Sequence, residues 1–172
     1  GNDIAYVSSV SPTINPVLGD VVYSVTVTLP EKEPEKYTIT YESNGGSAVA
    51  SQTVEERAAM LPPSNPTRTG YTFAGWYNDG AFNNKVTGIS LGTTGNKTFY
   101  AKWTANENTL VFNANGGSGS MSNMTVATDS TAKLTSNAFT KAGYTFKGWA
   151  TYKGGSTVYA DGASYTMGTN SS

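Results

Sequence analysis

Gly70-Tyr71-Thr72-Phe73-Ala74-Gly75-Trp76 returns as Gly143-Tyr144-Thr145-Phe146-Lys147-Gly148-Trp149, with a change at a single position. Upstream, residues 41–47 (YESNGGS) return as residues 112–118 (FNANGGS). The first pair is offset by 73 residues (143 − 70) and the second by 71 (112 − 41). Self-similarity at one spacing is the signature of tandem repeats. The sequence therefore predicts two modules of about 70 residues, here called module one and module two.

The composition excludes several classes of function. The 172 residues include no Cys and no His, which removes disulfides, thiolate metal sites, the commonest general base and the commonest metal ligand. The net charge of −1 gives no electrostatic footprint for nucleic acid. No apolar run reaches the roughly 18 residues that a membrane span requires. We predict no nucleic-acid partner, no metal, no cofactor and no membrane span.

Strand patterns dominate module one. Tyr37-Thr38-Ile39-Thr40-Tyr41 alternates apolar and polar residues, which predicts a half-buried strand. Asn44-Gly45-Gly46 is a turn signal, because Asn and Gly tolerate positive φ. A returning strand is predicted at residues 51–55, and another at the repeated heptapeptide, with a bulge at Gly75. Residues 98–103 (TFYAKW) close the module, with Phe99, Ala101 and Trp103 facing inward.

The predicted fold class is α+β but mostly β, as small β-grasp-like modules with at most one short helix each. The best helix-forming stretch is Glu56–Leu61, which Pro62-Pro63 ends. Module two repeats the plan: Leu110 and Phe112 face inward, residues 124–126 return, and Tyr144, Phe146 and Trp149 form its second core strand. It has no counterpart of the closing strand at residues 98–103.

The predicted domains are a tail strand plus linker over residues 1–36, module one over 37–104 and module two over 105–172. Residues 1–20 are predicted to be irregular, ending in a turn at Gly19-Asp20, and residues 21–28 to be a strand. Residues 30–36 are a charged, proline-containing linker. Tyr23, Val25 and Val27 follow the pattern of Phe99, Ala101 and Trp103 in the closing strand. We therefore expect residues 1–29 to be the tail of a preceding repeat, and strand exchange in which residues 23–27 fill the open edge of module two in a second copy.

At these residues the chain resembles the Listeria–Bacteroides repeat family, the B-repeat of internalin-type surface proteins. The resemblance covers residues 37–167 and depends on the Tyr37–Tyr41 strand with its Asn-Gly-Gly turn, on residues 66–77 (PTRTGYTFAGWY), and on residues 99–103 (FYAKW). It implies β-grasp-like modules in tandem on secreted bacterial surface proteins, associated with adhesion or spacing. It brings no catalytic residue.

Structural residues are the main candidates for the repeat signature. They are the glycines and aromatics that recur at equivalent places: Tyr71, Phe73, Gly75, Trp76, Trp103, Tyr144, Phe146, Gly148 and Trp149. Tryptophans could form a sugar-stacking platform, but their recurrence in core strands favours burial. Three tyrosines on the opposite face or just past the core strand are candidates for surface contact: Tyr77, Tyr100 and Tyr152.

Catalytic patterns are weak. Glycoside hydrolysis needs two carboxylates across a cleft, and Glu55, Glu56, Asp79 and Asp161 do not recur between the modules. Ser130-Thr131-Ala132-Lys133 has the Ser-x-x-Lys spacing but no companion motif, so chance is the better explanation. The Asn-Gly-Gly turns lack the following helix of a phosphate loop. We predict no catalytic residues.

Three classes of function follow: a structural or adhesive surface module, a carbohydrate-binding module, and an enzyme fragment. Duplication of a small module favours the first, because tandem copies add length or valency. The prediction is a non-catalytic repeat region of a secreted bacterial cell-surface protein, acting as spacer or adhesion module. The alternative is a carbohydrate-binding module of a surface protein or glycan-degrading enzyme. The expected partner is a host or matrix protein or a glycan, and the expected location is extracellular.

Overall fold

A computed structural model describes residues 6–14, 21–28, 32–56, 58–60 and 62–169, the first two ranges through their backbone alone. These residues form strands and no helix, which confirms the mostly-β class. The strands are β1 (Tyr6–Ile14), β2 (Val21–Thr28), β3 (Lys36–Glu42), β4 (Gln52–Glu55), β5 (Tyr71–Tyr77), β6 (Lys85–Val86), β7 (Lys97–Ala105), β8 (Glu107–Leu110), β9 (Met124–Ala127), β10 (Thr131–Lys133) and β11 (Ser164–Thr166). None of the described segments is a helix of the length and apolarity that a membrane crossing needs.

The chain divides into two compact units, Gly1–Glu35 and Lys36–Ser172. In the first unit β1 and β2 pair antiparallel, from Tyr6 opposite Thr28 to Ile14 opposite Val21. The strand at β2 is as predicted, but the irregular chain predicted over residues 1–20 is wrong for β1. Tyr6, Val7, Val10, Thr13 and Ile14 are β-favouring residues of β1, and the ladder to β2 outweighs the intervening Ser and Pro residues. The predicted turn at Gly19-Asp20 lies outside the described residues.

Module one is a five-stranded mixed sheet in the order β4-β3-β7-β5-β6. β3 pairs antiparallel with β4 and parallel with β7, and β7 pairs antiparallel with β5. The first and last strands of the module therefore lie side by side at the centre, with β7 bonded on both edges. The register of β5 against β7 shifts between Phe73 and Gly75, where Gly75 has φ +129°, so the predicted bulge is present.

The alternation of β3 produces the core on one face of this sheet. Tyr37, Ile39 and Tyr41 are buried while the intervening threonines are exposed, as predicted. They pack with Val54, Trp76, Ile89, Phe99 and Ala101. Burial of these aliphatic and aromatic groups is the main stabilising contribution in a module of this size.

The short helix predicted at Glu56–Leu61 does not form in Glu56 or Ala58–Met60, the described part of that stretch. Met60 instead exchanges backbone hydrogen bonds of 3.1 and 2.8 Å with Ile89 and packs against the core. An isolated helix of fewer than two turns gains too few hydrogen bonds to compete with such pairing.

In module two the pairing of β8 with β9 repeats that of β3 with β4 in module one. β8 pairs with β9 and β10 pairs with β11, as two separate two-stranded sheets. The prediction that Tyr144, Phe146 and Trp149 form a core strand is wrong: the backbone there makes only an isolated bridge from Trp149 to Tyr159. In module one β5 draws most of its ladder from β7, and no described strand pairs with residues 144–148 in that way.

Candidate functional site

Asn106 is the single residue between β7, which ends at Ala105, and β8, which begins at Glu107. Its amide donates a 2.9 Å hydrogen bond to the carbonyl of Gly70 in module one. Its carbonyl accepts a 2.9 Å hydrogen bond from the amide of Thr128 in module two. The connection between the modules is therefore a single residue, which is hydrogen-bonded to both modules.

Side-chain hydrogen bonds also connect the two modules at this boundary. The Thr72 hydroxyl donates to the Asn106 side-chain oxygen at 2.6 Å, and the Tyr71 hydroxyl donates to Asp129 Oδ2 at 2.7 Å. Thr128 is only 2% exposed, and its hydroxyl donates to the Asn106 carbonyl at 3.2 Å. We call this set the inter-module joint: Gly70, Tyr71, Thr72, Asn106, Thr128 and Asp129. The hydrogen bond to the Asp129 carboxylate raises the pKa of Tyr71 above its ordinary value.

Gly70 is required at the joint for two reasons. Its φ of +78° lies in the left-handed region, and a Cβ there would lie 2.7 Å from Thr128 Cγ2. Gly143, the equivalent residue of module two, has nearly the same φ of +75°, but a Cβ at that position would meet nothing within 4 Å. The local conformation is thus repeated, whereas the close approach occurs only where the two modules meet.

The aromatic signature of module one is an interlocked cluster around Trp76, which is 2% exposed. Its ring centroid lies 5.0 Å from that of Tyr41 and 5.4 Å from that of Phe73. Two further contacts involve β7: Tyr41 with Phe99 at 6.0 Å and Phe73 with Trp103 at 5.4 Å. The Trp103 indole also donates a 2.8 Å hydrogen bond to the carbonyl of Ser43, which anchors the Asn-Gly-Gly turn.

Module two repeats the contacts that do not involve β7. Trp149 lies 4.8 Å from Phe112 and 4.9 Å from Phe146, which match the Trp76 contacts with Tyr41 and Phe73. Gly148 has φ +137°, close to that of Gly75, so the same backbone kink sets the orientation of the indole. Tyr144 is 73% exposed and Phe146 is 39% exposed, and no described strand pairs with them.

A groove of about 1210 Å³ lies in module two. Its walls include Leu110 and Phe112 on one side and Tyr144, Phe146 and Trp149 on the other. We call this the module-two groove. It combines exposed aromatic surface with two stretches of backbone that lack strand partners among the described residues.

The three candidate surface tyrosines occupy different environments. Tyr77 and Tyr100 are half-buried and face each other across β5 and β7, and Tyr77 packs edge-to-face on Phe82 at 5.7 Å. Tyr152 is 71% exposed and lies beside the module-two groove. Their role as contact residues stays a prediction.

In the part of the chain that the structure describes, the candidate carboxylates do not form a shared site. Asp79 accepts hydrogen bonds from the amides of Asn83 and Asn84 at 3.1 and 2.9 Å, and these bonds hold its pKa below the ordinary value. Asp161 accepts a 2.8 Å bond from the Asn137 amide. Both carboxylates organise loops. The part of the chain described here holds no cluster of three or more residues of the types that ligate metals.

Comparison with known proteins decides the family. The family model of the Listeria-Bacteroides repeat domain matches residues 37–102 and again residues 109–171. The chain belongs to the Listeria–Bacteroides repeat family. The first matched segment ends before Asn106 and the second begins after it. The inter-module joint is therefore the contact between two successive Listeria–Bacteroides repeats.

Three relatives are similar in sequence to this chain. Internalin H of Listeria monocytogenes is 32% identical over 171 residues, which is 92% of this chain and 27% of that protein. Two proteins of Evansella cellulosilytica, named "Putative Gly-rich membrane protein" and "Putative membrane protein", are 34% identical over 120 residues and 37% identical over 82 residues. Those matches take 68% and 48% of this chain but 13% and 12% of the relatives. The chain thus spans about a quarter or less of these relatives. No solved structure matches the chain significantly.

Sequence reasoning on the Listeria–Bacteroides repeats missed the inter-module joint. Asn106 and Thr128 belong to no recurring motif, and their roles depend on contacts across the boundary. The one available signal was the short interval between the predicted end of one module and the start of the next.

Proposed function

We propose that this chain is a non-catalytic repeat region of a bacterial cell-envelope protein, and that it holds the parts on either side of it at a fixed spacing. The names of the relatives support the envelope location: one is an internalin and two are described as membrane proteins. The repeat family supports a structural role, since two modules of one type follow each other directly.

The observation that carries the spacer function is the inter-module joint. A flexible tether between domains consists of several Gly- or Ser-rich residues. Here one residue, Asn106, links the sheets and is bonded to Gly70 and Thr128 on either side. Two side-chain bonds, Thr72 to Asn106 and Tyr71 to Asp129, restrict rotation about that residue. Fixing one module relative to the next is what a spacer requires.

A pair of spin labels tests the spacer function in the full chain. The chain has no native Cys, so Thr53→Cys and Thr125→Cys place labels at exposed, equivalent positions of β4 and β9. We expect a narrow distance distribution in the otherwise unchanged chain. The matched control has Gly-Ser-Gly inserted after Ala105, which should broaden the distribution. An equally broad distribution in both proteins would contradict the spacer function.

Adhesion is the second part of the proposal, with a host or matrix protein or a glycan as partner in the extracellular space. Tandem copies support it, since two weak sites gain avidity when both engage. The test displays the folded chain multivalently and measures saturable binding to host cells, matrix proteins and glycans. Competition by a protein alone supports adhesion to protein. An absence of binding by folded chain leaves the spacer role and removes the adhesive one.

Carbohydrate binding is the alternative, and the exposed Tyr152 beside the module-two groove favours it. Sugar-binding platforms use exposed aromatic rings, and Tyr152 is one of them. If a free sugar competes with the binding and Tyr152→Ala abolishes it, the alternative replaces adhesion to protein. The matched control is Tyr77→Ala, whose ring is already engaged with Phe82.

A further inference from the structure

The face of the module-one sheet opposite the core carries three aromatic rings and two ammonium groups that lie next to one another. We call this set the outer-face patch: Tyr77, Phe82, Lys85, Tyr100 and Lys102. Tyr77 follows the buried Trp76 and therefore faces outward, since successive side chains of a strand point to opposite faces. Its ladder partners are Tyr100 in β7 and Lys85 in β6. The patch therefore spans three neighbouring strands, in the order β7, β5 and β6.

The two ammonium groups of the outer-face patch lie over aromatic rings and over a glycine. Lys102 Nζ is 5.2 Å from the ring centroid of Tyr77 and 5.7 Å from that of Phe82. The side chain of Lys85 crosses Gly75, where a Cβ would lie 2.5 Å from Lys85 Cε and 3.1 Å from Lys85 Nζ. Gly75 is itself opposite Lys102 in the pairing of β5 with β7, so both lysines lie beside this glycine.

Neither lysine of the patch has a carboxylate partner in the part of the chain that the structure describes. The ion pairs found there are Lys32–Glu35 and Lys36–Glu55. Glu42 lies opposite Tyr100, at the far side of the patch, and takes part in neither pair. An ammonium group beside apolar rings is partly shielded from water, so a carboxylate that reaches it interacts in a lower effective dielectric than in bulk water. The patch therefore favours an anionic partner.

Phe82 is held in the outer-face patch by a strained loop between β5 and β6. Its φ of +59° lies in the left-handed region, which is uncommon for a bulky residue. Asp79 maintains the loop, because its carboxylate accepts the amides of Asn83 and Asn84 and its carbonyl accepts a 3.2 Å bond from the Phe82 amide. The Asp79 carboxylate is thus engaged within its own loop. Strain of this kind is concentrated at functional sites.

Comparison of the two modules separates part of the patch from the shared framework. The residue after the signature tryptophan is Tyr77 in module one but Ala150 in module two. In the segment that pairs with this tryptophan, Lys85 has Val158 as its counterpart. The framework of the repeat therefore does not require a tyrosine or a lysine at these two places.

We propose that the outer-face patch binds an acidic segment of a partner protein, whose Asp or Glu side chains pair with Lys85 and Lys102. The inference rests on the adhesive part of the proposed function and names the chemistry of its partner. Carboxylates complement the two ammonium groups, and aromatic residues such as those of the patch are enriched at protein interfaces. A stacked sugar would need a free aromatic face, whereas the Tyr77 ring is already engaged by Lys102 and Phe82.

The test measures binding of fluorescent polyglutamate to the full chain by anisotropy. We expect saturable binding that weakens as salt is added, because ions screen exposed charges. Lys85→Gln with Lys102→Gln removes both charges and should weaken binding at least about tenfold. The matched control is Lys97→Gln with Lys133→Gln, which removes the same charge from two exposed lysines outside the patch and should weaken binding less than about twofold.

NMR spectra of the full chain locate the binding. Polyglutamate should shift the amide signals of Gly75, Tyr77 and Lys102. The signals of Gly148 and Trp149, the module-two equivalents of Gly75 and Trp76, should stay in place. Shifts of equal size in the two modules, no binding by folded chain, or equal weakening in the two double variants would overturn the inference.

Two further outcomes separate this inference from the adhesive function. If polyglutamate does not bind while the multivalent chain still binds a matrix protein, adhesion stands and the outer-face patch is not its site. If the multivalent chain binds no cell or protein while polyglutamate binding depends on Lys85 and Lys102, adhesion fails and the preference of the patch for acidic polypeptide stands. Tighter binding of polygalacturonate, whose carboxylates lie on sugar rings, would overturn the protein partner in favour of an acidic glycan.

Discussion

The hydroxyl of Tyr71 donates a 2.7 Å hydrogen bond to the carboxylate of Asp129, across the boundary between two successive repeats. The equivalent of Tyr71 in module two, Tyr144, is largely exposed, and Lys141 Nζ lies 4.7 Å from its ring centroid. Tyr71 has an equivalent contact, with Arg68 Cζ 3.8 Å from its ring centroid, so the bond to Asp129 is what distinguishes the two tyrosines.

This bond predicts a loss of stability at alkaline pH. It raises the pKa of Tyr71 in the folded chain, because it favours the protonated phenol beside the Asp129 carboxylate. The contribution is complete below the unfolded pKa of about 10 and is lost as pH rises through the higher folded value. Urea midpoints measured between about pH 8 and about pH 11 should fall less for Tyr71→Phe than for the unchanged chain. Tyr144→Phe is the control and should follow the unchanged chain; an identical decline for all three would refute the prediction.

Trp76→Ala should destabilise module one by about 3–5 kcal/mol, the cost of removing a buried aromatic and leaving a cavity. Urea denaturation of the full chain measures it. Trp149→Ala should cost less, because Trp149 is half-buried beside the module-two groove. Trp76→Phe should cost less than Trp76→Ala, since it keeps a buried aromatic ring and removes an indole N–H that is buried without a hydrogen-bond partner among the described residues. A loss below about 1 kcal/mol for Trp76→Ala would contradict the core role.

The costs of Gly70→Ala and Gly143→Ala, compared with each other, distinguish the effect of backbone strain from the effect of the close contact across the inter-module joint. Both residues have positive φ, so each substitution should cost about 1–2 kcal/mol from the left-handed conformation. Gly70→Ala also brings a Cβ to 2.7 Å from Thr128 Cγ2, so it should cost more and broaden the distance distribution between modules. Equal costs and equally narrow distributions would show that the approach of Gly70 to Thr128 does not constrain the joint.

Asp79 should titrate below the ordinary range of an aspartate. The amides of Asn83 and Asn84 donate to its carboxylate, and this lowers its pKa in the folded chain. These hydrogen bonds therefore stabilise the loop at pH values above the pKa of Asp79 in the unfolded chain. That stabilisation is lost as the pH falls through the lower pKa of Asp79 in the folded chain. The chemical shifts of both amides should report this titration in NMR spectra, and Asp79→Asn should abolish it. A midpoint at or above the ordinary value would contradict the assignment.

The repeated heptapeptide shows how far the sequence could predict the fold. Its aromatic alternation correctly predicted β5, the kink at Gly75 and the packing of Trp76. The same reasoning failed for residues 143–149, which are almost identical and yet form no strand. Strand formation depends on the neighbouring strand more than on intrinsic propensity, and no described strand pairs with these residues. The local sequence pattern thus predicts which way the side chains point, whereas the backbone pairing of the strand depends on a segment distant in sequence.

The joint was harder to predict, because its members gain their roles only when two modules meet. Thr128 is a small polar residue that follows β9, and it is buried and bonded to Asn106. The helix expected at Glu56–Leu61 failed for a related reason, since the bridge from Met60 to Ile89 outweighs a weak local preference.

The one-residue connection at Asn106 determines how the reach of an array depends on the number of its repeats. A chain of modules on flexible tethers behaves as a random coil, whose average end-to-end distance grows with the square root of length. If every junction repeats the bonds of Asn106 to its two neighbours, each added module contributes the same rotation and the same advance. Such an array is a superhelix whose length increases in proportion to the number of repeats, so that duplicating a gene segment would extend it by a set increment.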